Sequence, residues 1–137
     1  MAAGNYSFTI EQGATTDFEI VYKDSNGDPI DLTGYNARMQ LKDSIGGSST
    51  FLTLSSSLSP DGTGLNLSGS GGLNASKPTT SGSIGIFIGY VSSSNLSFSS
   101  AVYDLELVSG SGNAAVVTRL LQGKVNLSKE VTTGGNY

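Results

Sequence analysis

The sequence predicts an all-β protein, a two-layer antiparallel β-sandwich of about eight strands that forms one domain over residues 1–137. Three observations predict it. Several segments alternate apolar and polar side chains with a period of two, which is typical of half-buried strands. The segments between them are rich in glycine and serine, which favour turns. No helical pattern runs beyond a turn or two, so helices are expected to be minor.

The first three strands are predicted from alternation alone. They fall in NYSFTI (5–10), TDFEIVYK (16–23) and NARMQLK (36–42). Because successive side chains of a strand point to opposite faces, every second residue faces the core. The predicted inward residues are Tyr6, Phe8 and Ile10 in the first strand, Phe18, Ile20 and Tyr22 in the second, and Ala37, Met39 and Leu41 in the third.

The stretch GDPIDLTGY (27–35) is dense in functional groups, and we interpret it as a turn and a strand start rather than a site. Asn26 and Gly27 predict a hairpin turn with positive φ at both central residues. Asp31 is placed to accept N–H bonds from its own turn, as in an Asx-turn. Gly34 permits the bend, and Tyr35 is expected to pack over it.

The region of about 43–83 is a Ser/Gly-rich insertion in the sandwich pattern. Short strands are predicted at 50–56 and 65–67, with a turn at 60–64 between them. The run 68–82 is expected to be a long loop. Two interpretations of this loop stay open, a flexible surface insertion and an arm that orders against a neighbouring subunit.

SIGIFIGY (83–90) predicts a strand with isoleucines on one face and glycines on the other. Gly85 and Gly89 would allow another segment to approach closely. The serines that follow predict one helical turn that crosses between the sheets, with Ser92 or Ser93 as its N-cap.

Two strands complete the chain, AVYDLELV (101–108) and the longer segment 115–128. In the last strand Gly123 predicts a bulge or kink. Strands at this spacing are typical of a sandwich that is immunoglobulin-like in general plan.

Composition excludes several kinds of chemistry. The chain has no cysteine and no histidine, which removes disulfides, Ser-His and Cys-His nucleophile pairs and the commonest zinc ligand. The net charge is −4 and no basic run is present, so we expect no nucleic-acid partner. No apolar stretch approaches the roughly 20 residues of a bilayer span, and the N-terminus lacks the pattern of a signal peptide. We therefore expect no membrane partner.

A calcium site is one candidate, because Asp24, Asn26 and Asp28 have the spacing of the first half of an EF-hand loop. Pro29 and Tyr35 stand where that loop requires glycine and an acidic residue. The hairpin interpretation is therefore favoured, and no metal and no cofactor are expected.

Two pairs of carboxylates, Asp17 with Glu19 and Asp104 with Glu106, are candidates for acid–base catalysis such as glycoside hydrolysis. Both pairs fall on faces predicted to be in solvent. A sugar-binding platform would need exposed aromatic rings, whereas the chain has no tryptophan and its rings fall mostly on inward positions. We therefore expect no enzyme activity.

Four segments in order, IEQGAT (10–15), GDPIDLTGYNARMQLK (27–42), VYDLELV (102–108) and VTRLLQGKVNLSKEVT (117–132), resemble a tailed-phage virion module. The module is the immunoglobulin-like N-terminal domain of phage baseplate upper proteins and related tail, neck and fibre-attachment proteins. The resemblance covers both ends of the chain and is weak over 43–82. It implies a structural protein of the virion, assembled in the host cytoplasm, that docks in several copies on other virion proteins.

Three hypotheses follow for function. The first is an adaptor in the tail, baseplate or neck, the second a capsid decoration protein, and the third a carbohydrate-binding adhesion module. Assembly is expected through sheet edges and loops, with homo-oligomers in the particle and flexible ends at 1–4 and 132–137 that order on partners. Arg38 and Arg119 are the candidate interface residues, and the alternative for each is a solvated surface position.

Overall fold

A computed structural model describes residues 4–131, which form nine strands and one short α-helix. The helix α1 spans Tyr90–Ser94, and single 3₁₀ turns lie at Gly72–Asn74, Thr79–Ser81 and Gly112–Ala114. The strands are β1 Gly4–Asn5, β2 Phe8–Glu11, β3 Thr16–Val21, β4 Asn36–Lys42, β5 Thr50–Ser55, β6 Gly64–Asn66, β7 Ser83–Ile88, β8 Ser100–Ser109 and β9 Val116–Ser128.

The strands form two sheets, as the sequence predicts for a sandwich. The large sheet has the order β1-β9-β8-β4-β5, with β2 also paired to β9, and the small sheet has the order β3-β7-β6. These orders follow the immunoglobulin plan, in which strands B, E and D form one sheet and strands C, F and G, extended by C′, form the other. The prediction of an all-β, immunoglobulin-like sandwich is confirmed, with nine strands in the described residues.

The pairing differs from the prediction in one respect, because the sheet is not antiparallel throughout. β1 and β2 run parallel to β9, with Gly4 opposite Leu121 and Phe8 opposite Val125. Alternation predicts that a segment is a strand, but it carries no information on the direction of the neighbouring strand. The large sheet is therefore mixed.

The parallel pairing is interrupted at Tyr6, which lies over Gly123. A Cβ at Gly123 would overlap the Tyr6 carbonyl oxygen, so only glycine admits this approach. The same oxygen accepts the phenol O–H of Tyr103 at 2.6 Å. Gly123 stays in register opposite Tyr103. Of the bulge or kink predicted at Gly123, the bulge is therefore wrong. Tyr6, predicted to face inward, is 45% exposed at this interruption.

The core lies between the two sheets and consists mainly of the alternating residues that the sequence predicts. Burying a side chain of this size contributes roughly 1.5–3 kcal/mol. Within residues 4–131, no buried side-chain nitrogen or oxygen lacks a hydrogen-bond partner. The largest fully buried side chains are Ile10, Leu32, Met39, Leu41, Leu54, Leu65, Ile84, Ile86, Ile88, Leu105, Leu107 and Val125.

The connection between β3 and β4 begins with a hairpin whose geometry differs from the prediction. The Gly27 N–H donates to the Asp24 carbonyl at 3.0 Å, and the Asp24 N–H donates to the Asp28 carbonyl at 2.9 Å. Gly27 has a φ of +85°, whereas the φ of Asn26 is negative. This is a type I turn followed by a left-handed glycine, so the prediction of two positive φ values is wrong. Asp24 Oδ1 accepts the N–H groups of Asn26 and Asp28 and holds this shape.

The Asx-turn predicted at Asp31 is present. Asp31 Oδ1 accepts the Thr33 N–H at 2.9 Å and the Thr33 hydroxyl at 2.6 Å. The Thr33 hydroxyl bond, followed by the Thr33 N–H bond, lowers the pKa of Asp31. Gly34 takes a φ of +82°, and the half-buried Tyr35 packs against the core.

As predicted, α1 makes the crossing from the small sheet to the large one. Its N-cap, however, differs from the predicted residue. The N-cap is Gly89, which offers no side-chain oxygen, while Ser92 and Ser93 lie inside the helix. The Ser93 hydroxyl is buried and donates instead to the Ala14 carbonyl at 2.8 Å. These serines tie the crossing to neighbouring loops, and the prediction of a serine N-cap is wrong.

The Ser/Gly-rich region contains β5 and β6 close to their predicted positions. Residues 67–82, which we call the cover segment, lie across the outer face of the small sheet. The ends predicted to be flexible, 1–4 and 132–137, fall outside the described residues except for Gly4, which begins β1.

Three polar contacts fix the cover segment to β3. Glu19 accepts the Ser70 N–H at 3.0 Å and pairs with the Lys77 ammonium, and Asp17 accepts the Gly71 N–H at 3.1 Å. The Lys77 bond, followed by the Ser70 N–H, lowers the pKa of Glu19. The carboxylate pair that suggested catalysis therefore holds this segment on its own sheet.

Glycine on β7 makes room for the cover segment. A Cβ at Gly85 would overlap the Gly69 carbonyl oxygen, as the glycine pattern of this strand predicted. The segment thus lies on the sheet of its own chain, where the sequence left a flexible loop and a contact with a neighbour as the alternatives.

Candidate functional site

The outer face of the large sheet carries a dense array of long polar side chains. It is formed by residues of β4, β8 and β9, and none of these positions is buried in the described chain. We call it the basic face, and it consists of Arg38, Gln40, Lys42, Asp104, Glu106, Arg119, Gln122 and Lys124.

Register aligns these residues in three rows across the strands. Each row has a β8 residue at its centre, with one β4 residue and one β9 residue beside it. The two flanking residues of a row are of the same type. Because neighbouring strands lie about 4.8 Å apart, the two flanking columns are separated by about 10 Å. The rows are Lys42, Val102, Lys124; then Gln40, Asp104, Gln122; then Arg38, Glu106, Arg119.

A β-bulge puts Arg119 into this array. Leu105 pairs with Leu121 and Glu106 pairs with Arg119, which leaves Leu120 as the extra residue. Without the bulge, side-chain alternation from Gln122 would point Leu120 to solvent and Arg119 to the core. With it, Leu120 packs against the core and Arg119 stands on the outer face.

Two ion pairs cross the array. Arg38 Nε lies 2.7 Å from Glu106 Oε1, and Arg119 Nε lies 3.4 Å from Asp104 Oδ2. Exposed pairs of this kind contribute at most about 1 kcal/mol, so their effect here is mainly to orient the side chains. The arginine side chains remain 57% and 54% exposed and can contact a partner.

The basic face concentrates positive charge in an acidic protein. It holds four of the seven cationic side chains and two of the eleven carboxylates, a net charge of +2. The remaining three lysines and nine carboxylates give the rest of the chain a net charge of −6. Lys42 and Lys124 belong to none of the three ion pairs formed among the described residues.

The face lines an open groove of about 730 Å³. The turn between β4 and β5 forms one wall, where Ile45 is 94% exposed. Among the described lining residues the one aromatic side chain, Tyr103, is 5% exposed. Burial, and then the nearby Tyr6, raise the pKa of Tyr103 to about 12. The described lining residues therefore offer charges, amides and the apolar side chain of Ile45, and no exposed ring.

The candidate interface residues Arg38 and Arg119 come together on this face, on either side of Glu106. The carboxylates Asp104 and Glu106 are half-buried between them, each paired with an arginine. Asp31, Gly34 and the hairpin residues lie elsewhere, in the connection before β4. Arg38 and Arg119 thus lie on the same face as the carboxylate pair Asp104 and Glu106. The predicted turn residues lie outside this face.

The calcium hypothesis finds no support in the turn geometry, because Asp24 Oδ1 is occupied by backbone N–H groups. Across residues 4–131, no group of three or more acidic side chains is arranged to hold a metal ion.

In the same range no helix is long and apolar enough to cross a bilayer.

Gln40, Lys42, Gln122 and Lys124 were missed from the sequence, although a signal for them exists. β4 reads RMQLK at 38–42, and β9 reads RLLQGK at 119–124. The two motifs differ by one inserted residue, and the structure shows that the insertion is the bulge at Leu120. The repeated motif therefore marks two strands that flank a common neighbour.

Comparison with known proteins adds no family to this description. No family model matches the chain, and no curated protein is significantly similar to it.

Proposed function

We propose that the chain is a non-enzymatic structural protein of a tailed-phage virion that docks in several copies, as an adaptor in tail, baseplate or neck. The observation that carries the docking role is the basic face. It is open to solvent, its charge is opposite to that of the rest of the chain, and its side chains are aligned in register. The four segments that resemble virion modules supply the phage context.

Several features support a binding role over catalysis. The two carboxylates of the groove are both paired with arginine and lie on an open sheet face, whereas catalytic carboxylates work in clefts that exclude water. No exposed ring is found among the described residues of the groove, which favours a protein partner over a sugar. Charged and polar side chains of this kind steer association and set specificity.

Quantitative mass spectrometry of purified particles tests the proposal, with this chain counted against the major capsid protein. A small count that matches a ring of the tail, neck or baseplate is expected. A count comparable to that of the capsid protein would make the chain a decoration protein instead. Absence from particles would overturn the virion role altogether, and glycan-array binding would then be the next experiment.

A further inference from the structure

The connection between β3 and β4 carries charge opposite to that of the basic face. Residues 23–31, which we call the acidic loop, hold Asp24, Asp28 and Asp31 against one cation, Lys23. Asp28 and Asp31 are exposed and Asp24 is half-buried. Three carboxylates within eight residues form a negatively charged projection at one end of the sandwich.

Turn geometry fixes two of these carboxylates. Asp24 Oδ1 accepts two backbone N–H groups, and Asp31 Oδ1 accepts the N–H and hydroxyl of Thr33. Within the described residues, none of the three aspartates forms an ion pair. Carboxylates held in this way lose little side-chain entropy when they meet a cation on a partner.

The charges decide how two copies could meet. Packing two basic faces together would bring net charges of +2 and +2 into contact, which is repulsive. Packing a basic face on an acidic loop joins opposite charges and leaves a second face and a second loop unoccupied. Such a contact is heterologous and closes a ring or continues as a filament, depending on the rotation between copies.

We infer that the basic face of one copy binds the acidic loop of a second copy, head to tail. Lys42, Lys124 and the exposed parts of Arg38 and Arg119 meet the carboxylates of Asp24, Asp28 and Asp31. This inference rests on the proposed function, because it names the occupant of the same docking face. Its test uses the isolated chain in solution and is therefore independent of whether the chain is found in particles.

Sedimentation velocity over a concentration series gives the first measurement. The chain is expected to self-associate at about 0.01 M salt and to dissociate at about 1 M, where the Debye length falls from about 30 Å to about 3 Å. A chain that stays monomeric at low salt and high concentration would overturn the inference and leave a different acidic protein as the occupant.

A matched pair of substitutions locates the contact. Lys124→Glu reverses a charge on the basic face, and Lys129→Glu reverses one just beyond β9; both lysines are exposed and neither belongs to an ion pair in the described chain. We expect Lys124→Glu to raise the dissociation constant roughly tenfold or more, and Lys129→Glu to leave it within about threefold. Equal effects of the two changes would contradict the inference.

Charge exchange between two variants tests the direction of the contact. The first variant carries Lys42→Glu and Lys124→Glu on the face, and the second carries Ser25→Lys and Asp28→Lys on the loop. Each alone is expected to be monomeric at low salt, and an equimolar mixture is expected to assemble with the two variants alternating in equal numbers. Circular dichroism of each variant checks that it is folded. A mixture of folded variants that stays monomeric would exclude the head-to-tail contact.

Discussion

The outer face of the small sheet is covered by residues 67–82 of the same chain, while the outer face of the large sheet stays open to solvent. On the covered side, Gly85 leaves room for a backbone segment, and two carboxylates bind that segment's N–H groups. On the open side, arginine, glutamine and lysine side chains project in register. One sandwich thus has one face covered by its own chain and one face that the described residues leave open.

The residue types decide which face can serve which purpose. Glycine lets backbone approach a sheet directly, and bonds from backbone N–H groups then replace those to water. Long charged side chains keep any neighbour at a distance and remain solvated until an oppositely charged surface displaces the water. The contrast predicts that substitutions on the covered face change folding stability, whereas substitutions on the open face change association.

The largest effect on stability is expected from Gly85→Val. The new side chain would occupy the position of the Gly69 carbonyl and force the cover segment away from β7. We expect a loss of about 3 kcal/mol in the free energy of unfolding, as for overpacking of a tight site. Denaturant unfolding measures it.

Thr53→Val is the matched control on the other face, since Thr53 is exposed on β5 beside the basic face. It should stay within about 0.5 kcal/mol of the wild type. A similar cost for both substitutions would remove the distinction between the two faces.

The next largest effect is expected inside the large sheet, from Tyr103→Phe. The change removes the hydroxyl that donates to the Tyr6 carbonyl at 2.6 Å, where the parallel pairing to β9 is interrupted. A loss of about 1 kcal/mol is expected. Hydrogen exchange should show faster opening of β1 and β2, with the cover segment unchanged. Equal opening of the cover segment would mean that the two faces are not independent.

The pKa of Tyr103 adds a pH dependence to the same comparison. It is raised from 10.0 to about 12, so the folded state keeps the phenol neutral where the unfolded chain would ionise it. The stability that this side chain contributes is complete below pH 10.0 and is lost as the pH rises to about 12. Wild type should therefore lose more stability than Tyr103→Phe over this range, and parallel curves would contradict the assignment.

A smaller effect is expected from Glu19→Gln, which weakens the attachment of the cover segment to β3. The pKa of Glu19 lies below its ordinary value of 4.5, so its contribution is present above that pH and is lost as the pH falls through the lowered pKa. Thermal unfolding midpoints of wild type and variant should differ at neutral pH and converge in acid. A difference that persists unchanged in acid would mean that the charge of Glu19 is not the cause.

The smallest effect on stability is expected from Arg38→Gln on the open face. Its ion pair with Glu106 is exposed, so the free energy of unfolding should change by less than about 0.5 kcal/mol. Self-association at low salt should nevertheless weaken. A large loss of stability would show that the array serves folding rather than binding.

Local patterns made part of this molecule predictable. Alternation placed the inward residues of β4 correctly, since this strand has one buried and one open face. The spacing of Asp31 and Thr33 predicted their Asx-turn because both groups lie in the same turn. Arg38 was assigned to the surface for the same local reason.

Features that depend on pairing between distant segments were not predictable in this way. The bulge at Leu120 arises from the register of β9 against β8. Gly123 therefore did not mark the position of the bulge in this strand. Gly85 predicted a close approach but could not identify residues 67–82 as the segment that approaches. The basic face required the order of β4, β8 and β9, which no single strand reveals.

The position of β9 between β8 and the N-terminal strands has a consequence for how the chain folds. Ser7 and Lys124, bonded across this boundary, are separated by 117 residues. The entropy of closing so long a loop is lost before strand pairing can stabilise the sheet. Topologies dominated by such contacts therefore fold slowly. The large sheet acquires its inner strand β9 only after every other strand of residues 4–131 has been synthesised. The newly made chain therefore exposes the unpaired edge of β8 until synthesis has passed residue 128.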